Sequence, residues 1–365
     1  MLQPAAQAPA ASAAVRGSMN VSALYAFGDS TTDTGLNKYL NSTTTSADRP
    51  PYGETYFHMP TGRYSDGRLV VDFLAQAWGF PLLAPYLQPG ANFSRGANFA
   101  SAGSGALNTT STDGELSLAG QVAAFLAFKN GTNGTGPIPN STINEAIFLV
   151  STGTNDYTHY TLDLGGVFSG NPVAPDDYIQ SVVANLAAGV QGLYAAGARR
   201  FFVANVPAVG CAPQARLVTF NDSCLDPLND LARDHNRLLN ATLANLTSAW
   251  PDATILVGDT NGLLASTVAQ PSAYNFSVSA VACCGAGPNN ATLQCGQNRT
   301  IFDLYTVRAD ACADPDTHIF WDVEHGTEAF YRFVAKQFLF GTAFVQPRNL
   351  TATFAFPPGV QSRLT

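Results

Sequence analysis

Acyl chemistry through a covalent intermediate needs a hydroxyl nucleophile, a base to take its proton, a group that orients the base, and N–H donors for the oxyanion. The sequence offers candidates for the first three. Ser30 stands in "FGDSTTDTG", at the end of the apolar run "ALYAFGDS", where a Gly-containing turn after a buried strand would expose its hydroxyl. The run is not a G-x-S-x-G elbow, so the usual α/β-hydrolase nucleophile arrangement is not supported. Taken alone, Gly-Asp-Ser also reads as an ordinary turn. The base must be one of His58, His159, His235, His318 and His325. Asp322 precedes His325 by three residues in "FWDVEHGTEAF". A D-x-x-H loop can set a carboxylate against one imidazole nitrogen and leave the other facing the serine. Asp156 and His159 repeat that spacing in "NDYTH". Spacing does not choose between the pairs, and either also reads as a surface carboxylate beside a surface histidine.

Residues this far apart in sequence need a scaffold that brings them together. "EAIFLVSTGTND", "RRFFVANVP" and "ATILVGD" share with "ALYAFGDS" the form of a buried strand. Helical spacing puts Leu69, Val70, Phe73, Leu74 and Ala77 on one face of "DGRLVVDFLAQAWGF", and "LSLAGQVAAFLAFK" reads the same way. "YIQSVVANLAAGVQGLYAAG" is a helix closed by Gly197, "LNDLARDHNRLLNATLANLTSAW" is amphipathic, and "GTEAFYRFVAKQFLFG" is a last helix. Short strands alternating with helices predict an α/β fold with a mostly parallel sheet covered on both faces. Ligands bind at the carboxyl ends of such strands. The runs "GDS", "GTND" and "VGDT" each follow a strand candidate, so they should meet at one edge of the sheet.

The bulk composition narrows the partners. Hydrophobic residues make up 46% and charged residues 12% of the 365, which excludes a disordered chain and allows a large core. Lys plus Arg number 18 against 26 Asp plus Glu, a net charge of −8 that opposes nucleic acid and anionic membranes and makes a neutral or cationic substrate the easier expectation. No stretch approaches the roughly 20 apolar residues of a membrane span. The start, "MLQPAAQAPAASAAVRGS", lacks the apolar core of an intact signal peptide. Two features nonetheless predict the secretory route. N-x-S/T sequons occur at Asn20, Asn41, Asn92, Asn108, Asn130, Asn133, Asn140, Asn221, Asn240, Asn245, Asn275, Asn290, Asn298 and Asn349, where chance would give about four. The cysteines are six: Cys211, Cys224, Cys283, Cys284, Cys295 and Cys312. Six allow fifteen pairings. Cys211–Cys224 closes a short loop, and sequence neighbours rarely pair, so Cys283 and Cys284 should divide Cys295 and Cys312 between them. A zinc site lacks paired C-x-x-C spacing and nearby histidines.

Four blocks, "FGDSTTDTG", "GANFASAGSG", "GTND" and "FWDVEH", span residues 27 to 325 and together resemble the SGNH, or GDSL-type, serine esterase/lipase family. "PTGRYSDGRLVVDFLA", the "GC…C" segment before "HNRLL", and the cysteine-rich run into "FWD" are similar to its plant-type secreted branch. The resemblance implies a three-layer α/β/α sandwich of flavodoxin-like form around about five strands. It implies residues 1–20 as a flexible tail, 21–345 as one hydrolase domain and 346–365 as a C-terminal extension. It assigns Ser30 as nucleophile and Asp322 and His325 as acid and base. The backbone N–H groups of Ser30 and Gly103 and the side-chain amide of Asn155 become the oxyanion donors. Asp156 then belongs to the asparagine block, which leaves His159 incidental. One departure is Ala102, where relatives often carry glycine; it would narrow the oxyanion loop. No metal or organic cofactor is implied. Carbohydrate acetyl esters or other small acyl or phenolic esters are the expected substrates. The alternatives are transfer of the acyl group to a sugar or hydroxy-acid alcohol, and a non-catalytic carbohydrate-binding protein on the same scaffold. Oligomeric state is not readable. Arg63 and Arg68 could bind a substrate carboxylate or form structural salt bridges, and Trp321 could line an acyl pocket or simply pack.

Overall fold

The computed structural model describes residues 19–131, 136–163, 173–219, 221–301 and 305–364. Its centre is a six-stranded sheet formed by β1 (Leu24–Gly28), β2 (Gly96–Asn98), β3 (Ile147–Ser151), β4 (Arg200–Ala204), β5 (Thr254–Gly258) and β8 (Val345–Gln346), in the order β2-β1-β3-β4-β5-β8. All pairings are parallel except β5 with β8. The sixth strand goes beyond the expected five because it is two residues long, too short to carry any period in sequence. β2 is likewise a Gly-Ala-Asn tripeptide with no apolar run. A separate hairpin, β6 (Asn298–Ile301) and β7 (Tyr305–Arg308), lies in the cysteine-rich region.

The central strands are nearly continuous apolar runs because both faces are covered. Seven helices are used below: α1 (Val70–Ala77), α2 (Leu118–Lys129), α3 (Thr154–Thr158), α4 (Pro175–Ala195), α5 (Asp226–Ala249), α6 (Thr260–Ala269) and α7 (Glu328–Phe340). Phe27, Phe99, Phe125 and Phe148 interlock at centroid distances from 5.3 to 6.2 Å beneath the carboxyl end of β1. The β2-β1-β3 arrangement places the switch in strand order between β1 and β3, where a crevice must open at the carboxyl ends. Ser30 follows β1, Gly103 follows β2 and Asn155 follows β3, so the topology alone gathers three of the predicted residues at that crevice.

The segment after α7 returns to the body: β8 pairs with Val257 and Gly258, and Phe356 stacks on Trp78 at 4.7 Å. Residues 1–18 of the expected tail and the sequon at Asn133 lie outside the described residues. Cys211–Cys224 forms as expected, and Cys283 and Cys284 divide the other two cysteines between them, as Cys283–Cys312 and Cys284–Cys295, a choice the sequence left open.

Candidate active site

The turn after β1 is built by its own aspartates. Gly28, at φ +151°, lies so close to β3 that a Cβ would sit 2.1 Å from the Ser151 carbonyl oxygen. Its backbone is clamped by Gln121 of α2, whose Oε1 accepts from Gly28 N–H at 2.8 Å and whose Nε2 donates to Gly28 O at 2.8 Å. Asp29 turns the chain by accepting from the Thr31 N–H and hydroxyl at 3.0 and 2.8 Å. Ser30 is thereby held at the edge of the crevice, largely buried.

Asp33 ties this turn to the next loop. Its Oδ1 accepts from the N–H groups of Gly35 and Leu36, and its Oδ2 from Ala102 N–H at 2.9 Å. Burial raises its pKa to about 6, with those N–H groups holding it down from going further. The Ala102 carbonyl accepts from Asn37 Nδ2 at 2.9 Å. A trans peptide sets its N–H opposite its C=O, so the Gly103 N–H points away from Asn37, and Gly103 lines the void beside Ser30. Gly103 itself has φ +83°. The methyl of Ala102 is absorbed by packing with Tyr52, Tyr64 and Trp321.

Asn155 opens α3 after the left-handed Gly153, and its Nδ2 donates to Ser104 O at 2.8 Å. An amide nitrogen has two hydrogens; holding one on the loop orients the other. The neighbouring Asp156 accepts from Ala106 and Leu107 N–H at 2.8 and 3.1 Å and from the Thr110 hydroxyl at 2.7 Å. Burial pushes its pKa up to about 6 against those bonds. Asp156 is therefore the clasp of the loop at 105–110, with both carboxylate oxygens committed there, and not the partner of His159.

His325 is the histidine that reaches the serine: its Nε2 is 2.7 Å from Ser30 Oγ. Its Nδ1 is 2.8 and 2.9 Å from the two oxygens of Asp322. The N–H groups of Glu324 and His325 and the hydroxyl of Tyr52 donate to Asp322 at 3.0, 2.8 and 2.7 Å. Burial alone would lower the His325 pKa, but the charge of Asp322, its hydrogen bond and the nearby Glu324 and Asp29 carboxylates reverse this and raise it to about 9. Asp322 moves oppositely: burial raises it, and the imidazolium and the donated hydrogen bonds overcome that and hold it low. Of the other histidines, His235 is buried against Tyr157, 2.7 Å from its hydroxyl, and burial lowers its pKa to about 3. His58 bonds the Glu54 carbonyl at the surface.

The loop bearing Asp322 and His325 is pinned by backbone bonds from Cys283 N–H to Phe320 O and from Cys284 N–H to Trp321 O, at 2.9 and 2.6 Å. Trp321 is fully buried among Tyr52, Tyr64 and the cysteines, which makes it a packing residue. Arg63 is bidentate to Asp72 at 2.8 Å, and Arg68 meets Glu328 at 2.7 Å, so both are structural salt bridges inside the fold. Cys283, Cys312 and His318 cluster, but the two sulfurs are bonded to each other and offer no thiolate.

Sequence reasoning missed Tyr52, Gln121, Asn37 and Glu324. Tyr52, Gln121 and Asn37 are 270, 93 and 65 positions from the residues they hold, and Glu324, though next to His325, carries no signal of its charge effect in its spacing. Among the described sequons, most asparagines are exposed, whereas Asn290 and Asn349 are half-buried and donate their Nδ2 hydrogens to the Ala282, Phe340 and Gly341 carbonyls.

Known proteins bear on this geometry. The family model described as GDSL-like Lipase/Acylhydrolase matches residues 24–338. GDSL esterase/lipase 5 of Arabidopsis thaliana is 34% identical over 353 residues, covering 93% of this chain and 89% of that protein. GDSL esterase/lipase 6 of the same plant is 34% identical over 349 residues, 92% and 91% of the two chains. A GDSL lipase of Tanacetum cinerariifolium is 32% identical over 350 residues, 94% and 91%. Among solved structures, an α/β hydrolase enzyme from the metagenome of Lake Arreo covers 72% of this chain and 87% of its own at 13% identity, with a TM-score of 0.33, too low to inform the site.

Proposed function

The chain belongs to the GDSL-like lipase/acylhydrolase family and is a carboxylic ester hydrolase, and on that premise we propose that it works through an acyl-serine on Ser30. The observation that carries this is the unbroken line from Asp322 through His325 to Ser30 Oγ, with both hydrogen bonds at or below 2.9 Å. His325 takes the hydroxyl proton as Oγ attacks the ester carbonyl carbon. Negative charge collects on the carbonyl oxygen, and the N–H groups of Ser30 and Gly103 and the Asn155 amide receive it. The C–O bond to the alcohol breaks as His325 returns the proton to the leaving oxygen. Water then attacks the acyl-serine with His325 as base and releases the acid.

The void on the oxyanion side, about 180 Å³, is lined by Thr44, Ser46, Tyr52 and Gln294, and these hydroxyls and amide suit a carbohydrate or phenolic alcohol. The same void can seat an acceptor alcohol in place of water, which supports acyl transfer as a second reading; product analysis with and without added sugar separates the two. Secretion and glycosylation belong to the same proposal. Three disulfides persist best in an oxidising compartment, and among the described residues no helix is long and apolar enough to cross a membrane. We read residues 21–345 as one catalytic domain and 346–365 as a C-terminal extension, whose Leu350, Phe354 and Leu364 pack into the domain's core.

The test is an ester panel, from acetylated sugars through hydroxycinnamate esters to long-chain lipids, with wild type and Ser30→Ala. The proposal expects turnover in the wild type and none above background in the variant. Retained activity in Ser30→Ala would end it.

A further inference from the structure

The space around Ser30 divides by chemistry. Adjoining the polar void at Ser30, Asn155, Glu324 and His325 is a narrow cleft of about 40 Å³. That cleft shares Thr31, Thr154, Pro207, Leu264, Phe320 and Glu324 with a deeper cavity of about 100 Å³, so one carboxylate stands at the mouth of an otherwise largely apolar space. The deeper cavity runs between the sheet and two helices. Leu149 of β3 and Phe202 of β4 form its floor; Leu263 of α6 and Phe330, Val334 and Phe338 of α7 form its walls. The three α7 residues are four apart and therefore share one helical face. All six are buried.

Two glycines keep this space open. Gly326, directly after His325, lines the cavity, and a Cβ there would lie 2.8 Å from Phe330 Cδ1. At Gly258 a Cβ would lie 2.8 Å from Phe202 Cζ and 3.1 Å from Phe338 Cζ, so the rings that bound the cavity sit where they do because β5 has no side chain there. An unfilled apolar cavity in a core is a standing loss of packing, and this one opens toward the reacting atoms.

We infer that the deep cavity holds the acyl chain of the ester, and that its size selects short aliphatic acyl groups of roughly four to six carbons over acetyl. An apolar cavity of about 150 Å³ takes the six carbons of benzene, which sets the scale. The alcohol then leaves into the polar void, which also touches Ser30 and is lined by the Thr44 and Ser46 hydroxyls and the Gln294 amide. The assignment rests on the acyl-serine reading above and deepens it by naming the acyl group.

The test is a series of p-nitrophenyl esters, acetate, butyrate, hexanoate and decanoate, on wild type, Val334→Phe and Val334→Ala. Each buried methylene is worth about fourfold in kcat/KM, so hexanoate or butyrate should exceed acetate by at least about tenfold, with decanoate falling away. Val334→Phe puts a ring into the void and should cut the hexanoate-to-acetate ratio by about tenfold. Val334→Ala should move the optimum to a longer chain, and it carries the test if the larger side chain compromises folding, which the thermal midpoint reports. A wild-type ratio at or below one with acetate turnover intact would overturn the assignment, as would a ratio unmoved in both variants. Absence of turnover on every ester, acetate included, would instead bring down the acyl-serine reading, and this inference with it.

Discussion

The two halves of the site are held in place by different physics. Ser30, Gly103 and Asn155 hang from the ends of parallel strands whose side chains are buried on both faces, and their loops are fastened by buried Asp33, Asp156 and Gln121. Asp322 and His325 stand on a loop with little regular structure, pinned by Cys283–Cys312, Cys284–Cys295 and a small cluster of Tyr52, Tyr64 and Trp321. The first half draws on the main core and is indifferent to redox conditions. The second buries Ile319 and Phe320 in the same core, but around Trp321 it rests on a small separate cluster and is tied covalently as well. The proposed mechanism needs the two to meet within one hydrogen bond, the 2.7 Å contact between Ser30 and His325.

That contrast can be broken from either side. On the sheet side, Asn155→Ala removes one oxyanion donor and should lower kcat about 10²–10³-fold with little change in KM, as steady-state kinetics would report. A loss of less than threefold would mean the amide does not face the reacting oxygen. On the loop side, a Cys284→Ala/Cys295→Ala variant should lose about 2–4 kcal/mol of stability and lower kcat by loosening the loop that carries Asp322 and His325. Hydrogen exchange should show faster opening across residues 277–327 while the amides of β1 and β3 stay protected. Equal loss of protection in both halves would erase the distinction.

A finer change on the same side is Tyr52→Phe, which deletes the hydroxyl that donates to Asp322 at 2.7 Å. About a tenfold fall in kcat is expected from one hydrogen bond to a charged group, with KM unchanged and the thermal midpoint nearly so. The smallest effect is in pH. His325 acts as base only when neutral, and its pKa is raised to about 9, with the charge of Glu324 among the causes. The acidic limb of kcat/KM should therefore climb through neutral pH toward about 9. In Glu324→Gln a nearby negative charge is gone, the imidazolium is less favoured, and the limb should move to lower pH. A limb centred near 6.5 in the wild type, the ordinary histidine value, would contradict this electrostatic account.

Legibility in sequence followed the same division. On the sheet side Ser30 and Asn155 were readable because each follows an apolar strand, and strand ends in a parallel sheet converge by topology; Gly103, which follows β2, came only from the resemblance to a family. β2 and β8 escaped because three and two residues carry no periodicity. On the loop side, D-x-x-H spacing matched two pairs, and only the resemblance to a family separated Asp322–His325 from Asp156–His159; the fold supplies the physical reason, since Asp156 is turned inward to the loop at 105–110. Tyr52 and Gln121 were invisible because their partners are fixed by three-dimensional packing and by nothing in their neighbourhood. Arg63 and Arg68 left both readings open in sequence, and their buried partners, Asp72 and Glu328, answered the question.

The central claim is that Ser30 carries the acyl group. A fluorophosphonate that mimics an ester carbonyl should react once per chain, and peptide mass spectrometry should find the adduct on Ser30, with labelling abolished in Ser30→Ala and strongly slowed in His325→Ala. An adduct on another residue, or undiminished labelling of Ser30→Ala, would contradict the account.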